Sequence, residues 1–207
     1  MPPHLDRQTP IYETVKCIGQ HASDISPSLR RAIKRSTTDK RALHDVERLL
    51  FASSPYIKAI VSTTQAIDLI NGGVKSNALP ELSWAVVNNR IGTESSVRAV
   101  QERFTNVIGP LAAEANLTLT AFGKKVLNRT VEPWAAAGDV ILSDAWGTAL
   151  EPAPITPTDE KAIPYRLLSG TILAVEQADK QVNGETKKVF VAPSVMSGGS
   201  SSTPLDQ

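Results

Sequence analysis

The spacing of apolar residues predicts helices in the first quarter of the chain. Between residues 10 and 53, apolar side chains recur three and four positions apart, as they do on the buried face of a helix. Pro10, Pro27 and Pro55 divide this stretch, because proline is tolerated in the first turn of a helix but not in its interior. The pattern therefore predicts two or three short helices over residues 10 to 53.

The pattern then changes to one that is typical of β-strands. Residues 56 to 64 and 66 to 70 are rich in β-branched side chains and lead into a turn signal, Asn-Gly-Gly, at residues 71 to 73. Residues 83 to 91 have the composition of a second strand. Residues 117 to 122 alternate between apolar and polar positions, so they predict a third, half-buried strand.

A longer helix is predicted between the second and third of these strands. Ser95 can cap its start, and the pair Gly109-Pro110 should end or kink it near its last turn. Its apolar face would consist of Val97, Val100, Phe104, Val107 and Leu111. This face would cover one side of a sheet formed by the strands.

The last third of the chain predicts one further strand, one helix and one short buried strand. Proline and glycine are frequent around the first, which lies at either 140 to 142 or 147 to 150. The helix lies between residues 158 and 178, and the buried strand covers residues 188 to 192. The residues expected to face inward from the helix are Leu167, Leu168, Ile172 and Val175.

The order of these elements predicts an α+β fold, with an antiparallel sheet that carries helices on one face and has helical segments on both sides along the chain. The predicted parts are a helical segment over residues 1 to 56, an inserted α+β domain over 57 to 157, a returning helix and strand over 158 to 195, and a flexible tail over 196 to 207. This order is typical of one domain inserted into another.

Composition narrows the choice of partners. The chain has 207 residues, with 22 Lys and Arg against 21 Asp and Glu, so its formal net charge is +1. A charge this small gives no electrostatic reason to expect nucleic-acid binding. No apolar run approaches the roughly 18 residues of a membrane-spanning helix, and the first residues lack the pattern of a signal peptide. We therefore expect no nucleic-acid partner and no membrane segment in this chain.

The histidines and the single cysteine do not predict a metal site. His4, His21 and His44 lack the spacing of metal ligands, and one cysteine excludes an intrachain disulfide. Cys17 and His21 are four residues apart and share a helix face, an arrangement that can activate a thiol. Since no oxyanion-stabilising motif accompanies them, helix packing is the preferred interpretation of Cys17.

Asn77 and Arg90 are the polar residues with the strongest claim to a function. Asn77 follows the double-glycine turn, and Arg90 closes an apolar strand, where its guanidinium could form two hydrogen bonds with a carboxylate. The alternative is that Arg90 pairs with the protein's own carboxylates at the rim of the sheet. Spacing alone leaves both interpretations open.

Longer segments of the chain resemble a known family. These are residues 63 to 80 (TTQAIDLINGGVKSNALP), 85 to 91 (AVVNNRI), 116 to 123 (NLTLTAFG), 151 to 158 (EPAPITPT) and 191 to 198 (VAPSVMSG). They resemble the fungal carboxypeptidase S, or Gly-Xaa carboxypeptidase, branch of the aminoacylase-like zinc metallopeptidases. The resemblance implies that the inserted α+β domain is a ferredoxin-like lid or dimerisation domain, flanked by helical and α/β fragments of a zinc-peptidase catalytic domain.

The resemblance also implies roles for individual residues. Asn77 matches the lid asparagine that stabilises the substrate carbonyl or the reaction intermediate, and Arg90 matches the lid arginine that binds the substrate carboxylate. Gly198 and Gly199 match a turn that lines this carboxylate. At Asn89 the sequence departs from the family, which usually has histidine there. The implied partners are a peptide substrate with a free carboxylate and a second copy of the chain, bound through the lid.

Complete members of the family hold two zinc ions and hydrolyse peptide bonds next to a free C-terminal carboxylate. The positions of this chain that match the family include none of the family's metal ligands. Those ligands are expected before residue 1 and after residue 207. We therefore expect no zinc bound to this chain and no catalysis by it alone. The family's fungal members are vacuolar or secretory, and two glycosylation sequons, at Asn116 and Asn128, agree with that location.

Two other functions are compatible with the sequence. The chain could be a non-catalytic dimerisation module that pairs through residues 57 to 122. It could instead be a small-molecule-binding regulatory domain that uses Arg90. For the flanks, residues 10 to 53 and 159 to 193, we expect exposed apolar faces, since the family packs these segments on a larger sheet.

Overall fold

The structure is a computed structural model, which describes residues 3–128, 138–159, 161–183 and 188–195, with the backbone alone at 180–183. The chain forms two compact units. Unit 1 consists of residues 1–62 and 154–207, and unit 2 of residues 63–153. Unit 2 lies within the predicted inserted domain of residues 57 to 157, whose bounds stay a prediction.

The described elements comprise six helices and five strands. The helices are α1 (Pro10–His21), α2 (Pro27–Ser36), α3 (Lys40–Ser53), α4 (Pro55–Ile60), α5 (Val97–Glu114) and α6 (Ile163–Asn183). The strands are β1 (Thr64–Gly72), β2 (Ser83–Arg90), β3 (Thr118–Ala121), β4 (Lys124–Leu127) and β5 (Asp139–Leu142). The mixed α+β class predicted from the sequence is confirmed.

Helices α1 and α2 begin at the predicted prolines, and α3 begins at Lys40. Proline occupies the first turn of α1 and of α2, where its missing N–H leaves no hydrogen bond unmade. The Asp39 carboxylate caps α3 by accepting from the backbone N–H groups of Arg41 and Ala42. A hydrogen bond from Arg35, together with these backbone bonds, lowers the pKa of Asp39. The prediction of two or three helices over residues 10 to 53 is confirmed, with three.

These helices build the core of unit 1. The buried side chains are Leu5, Ile11, Tyr12, Val15, Ile33, Val46, Leu50 and Val61. The Tyr12 hydroxyl and Ser36 Oγ are 2.9 Å apart inside this core, and Ser36 also donates to the Ile33 carbonyl. At Gly19, a Cβ atom would lie 2.5 Å from Ile33 Cγ2, so glycine is required for α1 and α2 to approach this closely. The expectation of an exposed apolar face over residues 10 to 53 is therefore wrong for most of this segment.

The strand predicted over residues 56 to 64 is largely wrong, because α4 occupies Pro55–Ile60. The Ser54 hydroxyl accepts from the backbone N–H of Ile57 and caps this helix, and proline stands in its first turn. Ile57 and Ile60 then pack against the unit 1 core. Capping and packing outweigh the β-propensity of this short segment.

Helix α5 differs from its prediction at both ends. Ser96, one residue after the predicted Ser95, caps it by accepting from Ala99 N. The helix continues through Pro110. Because proline has no N–H, the carbonyl four residues earlier lacks its usual helical hydrogen bond. Pro110 is exposed, so water can hydrogen-bond to this carbonyl instead. It ends at Glu114, and the chain turns away through Asn116, which has the left-handed conformation. Hydrogen bonds from Asn116 N to Ala113 O and from Leu117 N to Ala112 O close this end of the helix.

Unit 2 contains two small sheets. Strands β1 and β2 form an antiparallel hairpin, and β4, β3 and β5 form a three-stranded sheet in that order. Strand β3 pairs antiparallel with β4 but parallel with β5, so the expected all-antiparallel sheet is wrong at this pair. Helix α5 packs on the three-stranded sheet. The ferredoxin-like arrangement stays a prediction.

The alternation over residues 117 to 122 is confirmed by β3. Leu119 and Ala121 are buried, while Thr118 and Thr120 are partly exposed. Of the two alternatives for the next strand, β5 corresponds to the first, at 140 to 142.

Two predictions for unit 1 after residue 158 are wrong. The residues of α6 that were expected to face inward are exposed, namely Leu167, Leu168, Ile172 and Val175. Their exposure agrees with the other expectation for this segment, an exposed apolar face over residues 159 to 193. Residues 188 to 192 do not form a strand, because no described strand lies beside them to complete a hydrogen-bonded ladder. The segment is held instead by α1, through a hydrogen bond from Thr14 Oγ1 to the Pro193 carbonyl and through stacking of Phe190 on His21. The predicted tail over 196 to 207 lies outside the described residues.

Candidate functional site

The hairpin of β1 and β2 carries both Asn77 and Arg90. Its register pairs Thr64 with Arg90 at one end and Gly72 with Ser83 at the other, and a bulge interrupts it between Ile67 and Leu69. The bulge adds one residue to β1, so Ile67 and Ile70 lie on the same face of the hairpin.

Arg90 is the last residue of β2 and is partly buried. Its Nε lies 3.4 Å from Thr64 Oγ1, which accepts a long hydrogen bond across the strand pair. The adjacent Thr63 hydroxyl accepts from Gly92 N at 3.0 Å. Two neighbouring threonines therefore position the chain at Arg90 and just after it.

Thr63 and Thr64 are residues to which the sequence assigned no role. They belong to the first segment of the family resemblance, but a threonine pair at the start of a strand is not itself a signal of function. Only the register across the hairpin shows that both hydroxyls face the end of β2.

Asn77 lies in the loop of residues 73 to 82 that joins the two strands, and it is exposed. The loop narrows where Gly73, with φ of +93°, approaches Pro80. Between these residues, Val74 and Leu79 are 99% and 94% exposed, so the tip of the loop does not fold back on the strands. Asn77 therefore projects beyond the Ser83 end of the hairpin.

The structure thus places Asn77 and Arg90 at opposite ends of one hairpin. Seven residue steps separate Ser83 from Arg90, which is about 23 Å at roughly 3.3 Å a step, and Asn77 lies beyond Ser83. An extended dipeptide spans only about 7 Å. One dipeptide cannot contact both residues of the same chain.

The remaining candidate residues are Asn89, Gly198 and Gly199. Alternation along β2 places Asn89 on the face opposite to Arg90, where its amide donates to the Val87 carbonyl at 3.0 Å. Gly198 and Gly199 lie outside the described residues.

The described residues do not fit a two-zinc centre. Among them, no group of three or more His, Cys, Asp or Glu side chains is arranged to hold a metal ion. His44 pairs instead with Glu47, at 3.0 Å, and His21 stacks on Phe190. In the same part of the chain, no helix has the length and apolar character needed to cross a bilayer.

Comparison with known proteins relates most of this chain to carboxypeptidases. It is 33% identical over 168 residues, or 81% of its length, to an uncharacterized carboxypeptidase of Schizosaccharomyces pombe. It is 29% identical over 189 residues, or 91% of its length, to carboxypeptidase S of Saccharomyces cerevisiae. The chain belongs by sequence to the carboxypeptidase S-like branch.

A more distant relative of this carboxypeptidase S-like chain is an N-fatty-acyl-amino acid synthase/hydrolase of Mus musculus, which is 27% identical over 64% of the chain. The matched regions make up 26%, 31% and 20% of the lengths of the three relatives, so the chain spans at most about a third of each. No family model and no solved structure matches the chain.

Proposed function

We propose that this chain is the substrate-holding part of a zinc-dependent carboxypeptidase that acts next to a free C-terminal carboxylate. The similarity to proteins named carboxypeptidase along 81% and 91% of the chain is the observation that carries this proposal. The proposed substrate is a peptide, or another N-acyl amino acid, with a free carboxylate. The two sequons support a vacuolar or secretory location, and Asn116 and Asn128 are both exposed.

In this proposal, Arg90 binds the substrate carboxylate and Asn77 binds the carbonyl oxygen next to the bond that is cleaved. A guanidinium presents two parallel N–H groups to a carboxylate, and Thr64 orients the Arg90 side chain through Nε. Gly198 and Gly199 would line the same carboxylate. Zinc would supply the nucleophilic hydroxide in the complete enzyme, but the described residues do not fit a zinc centre, so no step of the reaction is assigned to them.

The role of Arg90 predicts carboxylate-dependent binding by this chain. N-Acetyl-L-leucine should bind at least about 10-fold more tightly than N-acetyl-L-leucinamide, because charge-assisted hydrogen bonds each contribute about 1.5–3 kcal/mol. Arg90→Ala should remove this difference, as measured by NMR titration. Arg98→Ala is the matched control, since Arg98 is an exposed arginine of unit 2 that pairs with Glu102. Equal binding of both ligands, or an unchanged difference in Arg90→Ala, would refute the role.

The same preparations test the zinc and activity parts of the proposal. Incubated with zinc and an N-blocked dipeptide, the chain alone should show no hydrolysis that a chelator abolishes, and mass spectrometry of the native protein should find no bound zinc. Chelator-sensitive turnover would show that this chain contains a complete metal centre.

A homodimer that pairs through the hairpin is the second part of the proposal. Ile67 and Ile70 share one face of a two-stranded ribbon and are 63% and 77% exposed. An isolated hairpin is marginally stable in water, so this face is expected to be covered by another surface. If Asn77 and Arg90 both contact one substrate, their separation also requires that they come from different chains. A non-catalytic dimerisation module would use the same surface.

Sedimentation velocity tests the dimer. The chain should sediment as a dimer at micromolar concentration, and Ile70→Asp should shift it to monomer, because a buried charge at the interface would be left unpaired. Leu150→Asp is the control, since Leu150 is 81% exposed in unit 2 but lies outside the hairpin. A monomer at these concentrations, or a dimer that Ile70→Asp leaves intact, would contradict pairing through the hairpin.

A further inference from the structure

Unit 1 contains a cleft of about 370 Å³ that none of the predicted site residues lines. Helix α1 forms one wall with Glu13, Lys16, Cys17 and His21, and α6 contributes Tyr165 and Leu173. The segment of residues 189 to 193 closes a further side. This volume is within the range of small-molecule sites in proteins.

One wall of the cleft carries a pair of opposite charges. Lys16 Nζ lies 2.7 Å from Glu13 Oε1, and the two side chains remain 32% and 37% exposed. An exposed ion pair of this kind contributes little to stability, typically about 0–1 kcal/mol. A ligand can therefore replace the contact between the two side chains with little loss of stability. A ligand with both charges could bridge the pair, with its cation on Glu13 and its anion on Lys16.

The remaining lining is suited to an apolar group. Leu173, Val189 and Val191 contribute aliphatic side chains to the cleft, and His21 stacks on Phe190 with 3.5 Å between ring centroids. Partial burial, with smaller effects from Cys17 and Glu13, raises the pKa of Tyr165, so its hydroxyl stays a protonated donor at neutral pH.

We propose that this cleft binds a free amino acid with an aliphatic side chain. Its ammonium group would bind Glu13, its carboxylate would bind Lys16, and its side chain would contact Leu173 and the valines. The proposal does not rest on hydrolase activity or on Arg90, because it uses only residues of unit 1.

L-Leucine is the probe for an NMR titration of the full chain. The imidazole signal of His21 should shift until the cleft is saturated. The dissociation constant should be about 5 mM or lower, a modest affinity for a ligand of this size. His44 lies outside the cleft lining and provides an unshifted reference signal. 4-Methylpentanoate, which lacks the ammonium group, L-leucinamide, which lacks the carboxylate, and glycine, which lacks the side chain, should each bind at least about 10-fold more weakly.

Single charge removals provide the second arm of the test. Glu13→Gln and Lys16→Gln should each weaken L-leucine binding at least about 10-fold, whereas Glu102→Gln, which breaks a comparable helical ion pair on α5, should leave binding unchanged. Circular dichroism checks that each variant is folded. Absence of saturation, equal binding of 4-methylpentanoate, or wild-type affinity in either α1 variant would overturn the proposal.

Discussion

Leu119→Ala is expected to lower the free energy of unfolding of unit 2 by about 2–5 kcal/mol. Leu119 lies in the middle strand of the β4-β3-β5 sheet, and none of its surface is exposed. The substitution removes side-chain carbons that make buried apolar contacts, and it leaves a cavity. The helix above the sheet is closely packed and cannot move far enough to fill this cavity. A strand of four residues has few other buried side chains to compensate, and Ala121 is the other buried member of β3.

The distribution of aromatic residues allows this effect to be measured in one unit at a time. All three tryptophans, Trp84, Trp134 and Trp146, fall within residues 63 to 153, so tryptophan fluorescence in a urea titration reports on unit 2. Ile141→Ala is the control, because Ile141 is 71% exposed on β5 and its truncation should change the free energy of unfolding by less than about 0.5 kcal/mol. A similar loss in both variants would show that Leu119 does not anchor a specific core.

Leu5→Ala is expected to destabilise unit 1 by a similar amount, about 2–5 kcal/mol. Leu5 precedes the first helix, yet it is fully buried in the cluster that includes Val46. Its backbone N–H also donates to Glu47 Oε1 at 2.6 Å, which ties the start of the chain to α3. Truncation should therefore open a cavity between the first residues and α3.

Tyrosine emission is the reporter for this second variant. Tyr12, Tyr56 and Tyr165 are the only tyrosines, and all of them belong to unit 1. Leu167→Ala, the same chemical change at an exposed position on α6, is the control and should have little effect. If Leu5→Ala shifted the tryptophan transition as far as the tyrosine transition, its effect would not be confined to unit 1, which would contradict the prediction.

Leu5 and Leu119 are both fully buried, but the local sequence pattern predicts burial only for Leu119. Leu119 is one of the apolar positions in an alternating stretch, and alternation with period two identifies a buried strand face without any knowledge of what covers it. Leu5 has no periodic neighbours, since it stands in an irregular segment. Its burial follows from how the chain returns over α3, which local spacing does not encode.

The secondary-structure predictions were confirmed where local signals agree with the tertiary contacts, and they were wrong where the two disagree. The first three helices have proline or capping signals and a helical period that agree with each other, so local and global preferences coincide. Residues 56 to 61 have β-branched side chains but a serine cap and a proline, and the contact of Ile57 and Ile60 with the core decides for helix. At 188 to 192, strand composition is present without a described partner strand, and a strand cannot form alone.

The candidate site follows the same rule. Residue type and family resemblance single out Asn77 and Arg90 from the sequence, the first after a turn signal and the second at the end of a predicted strand. That the two strands pair as one hairpin is seen only in the structure. That Asn77 and Arg90 lie at opposite ends of this hairpin, with Thr63 and Thr64 positioned at the Arg90 end, depends on strand register. The cleft lined by Glu13, Lys16 and Tyr165 likewise combines residues about 150 positions apart, which no local pattern relates.

The sequence by itself therefore determined the helical and strand periods, the proline-marked starts of the first helices, the α+β class and the kinship with carboxypeptidase S. The tertiary structure decided that Leu5 is buried, that the apolar residues of α6 are exposed, that β3 and β5 run parallel, and that Asn77 and Arg90 are far apart. The physical reason is that period, capping and turn chemistry act between residues a few positions apart. Burial, strand pairing and the distance between side chains depend on which distant segments meet.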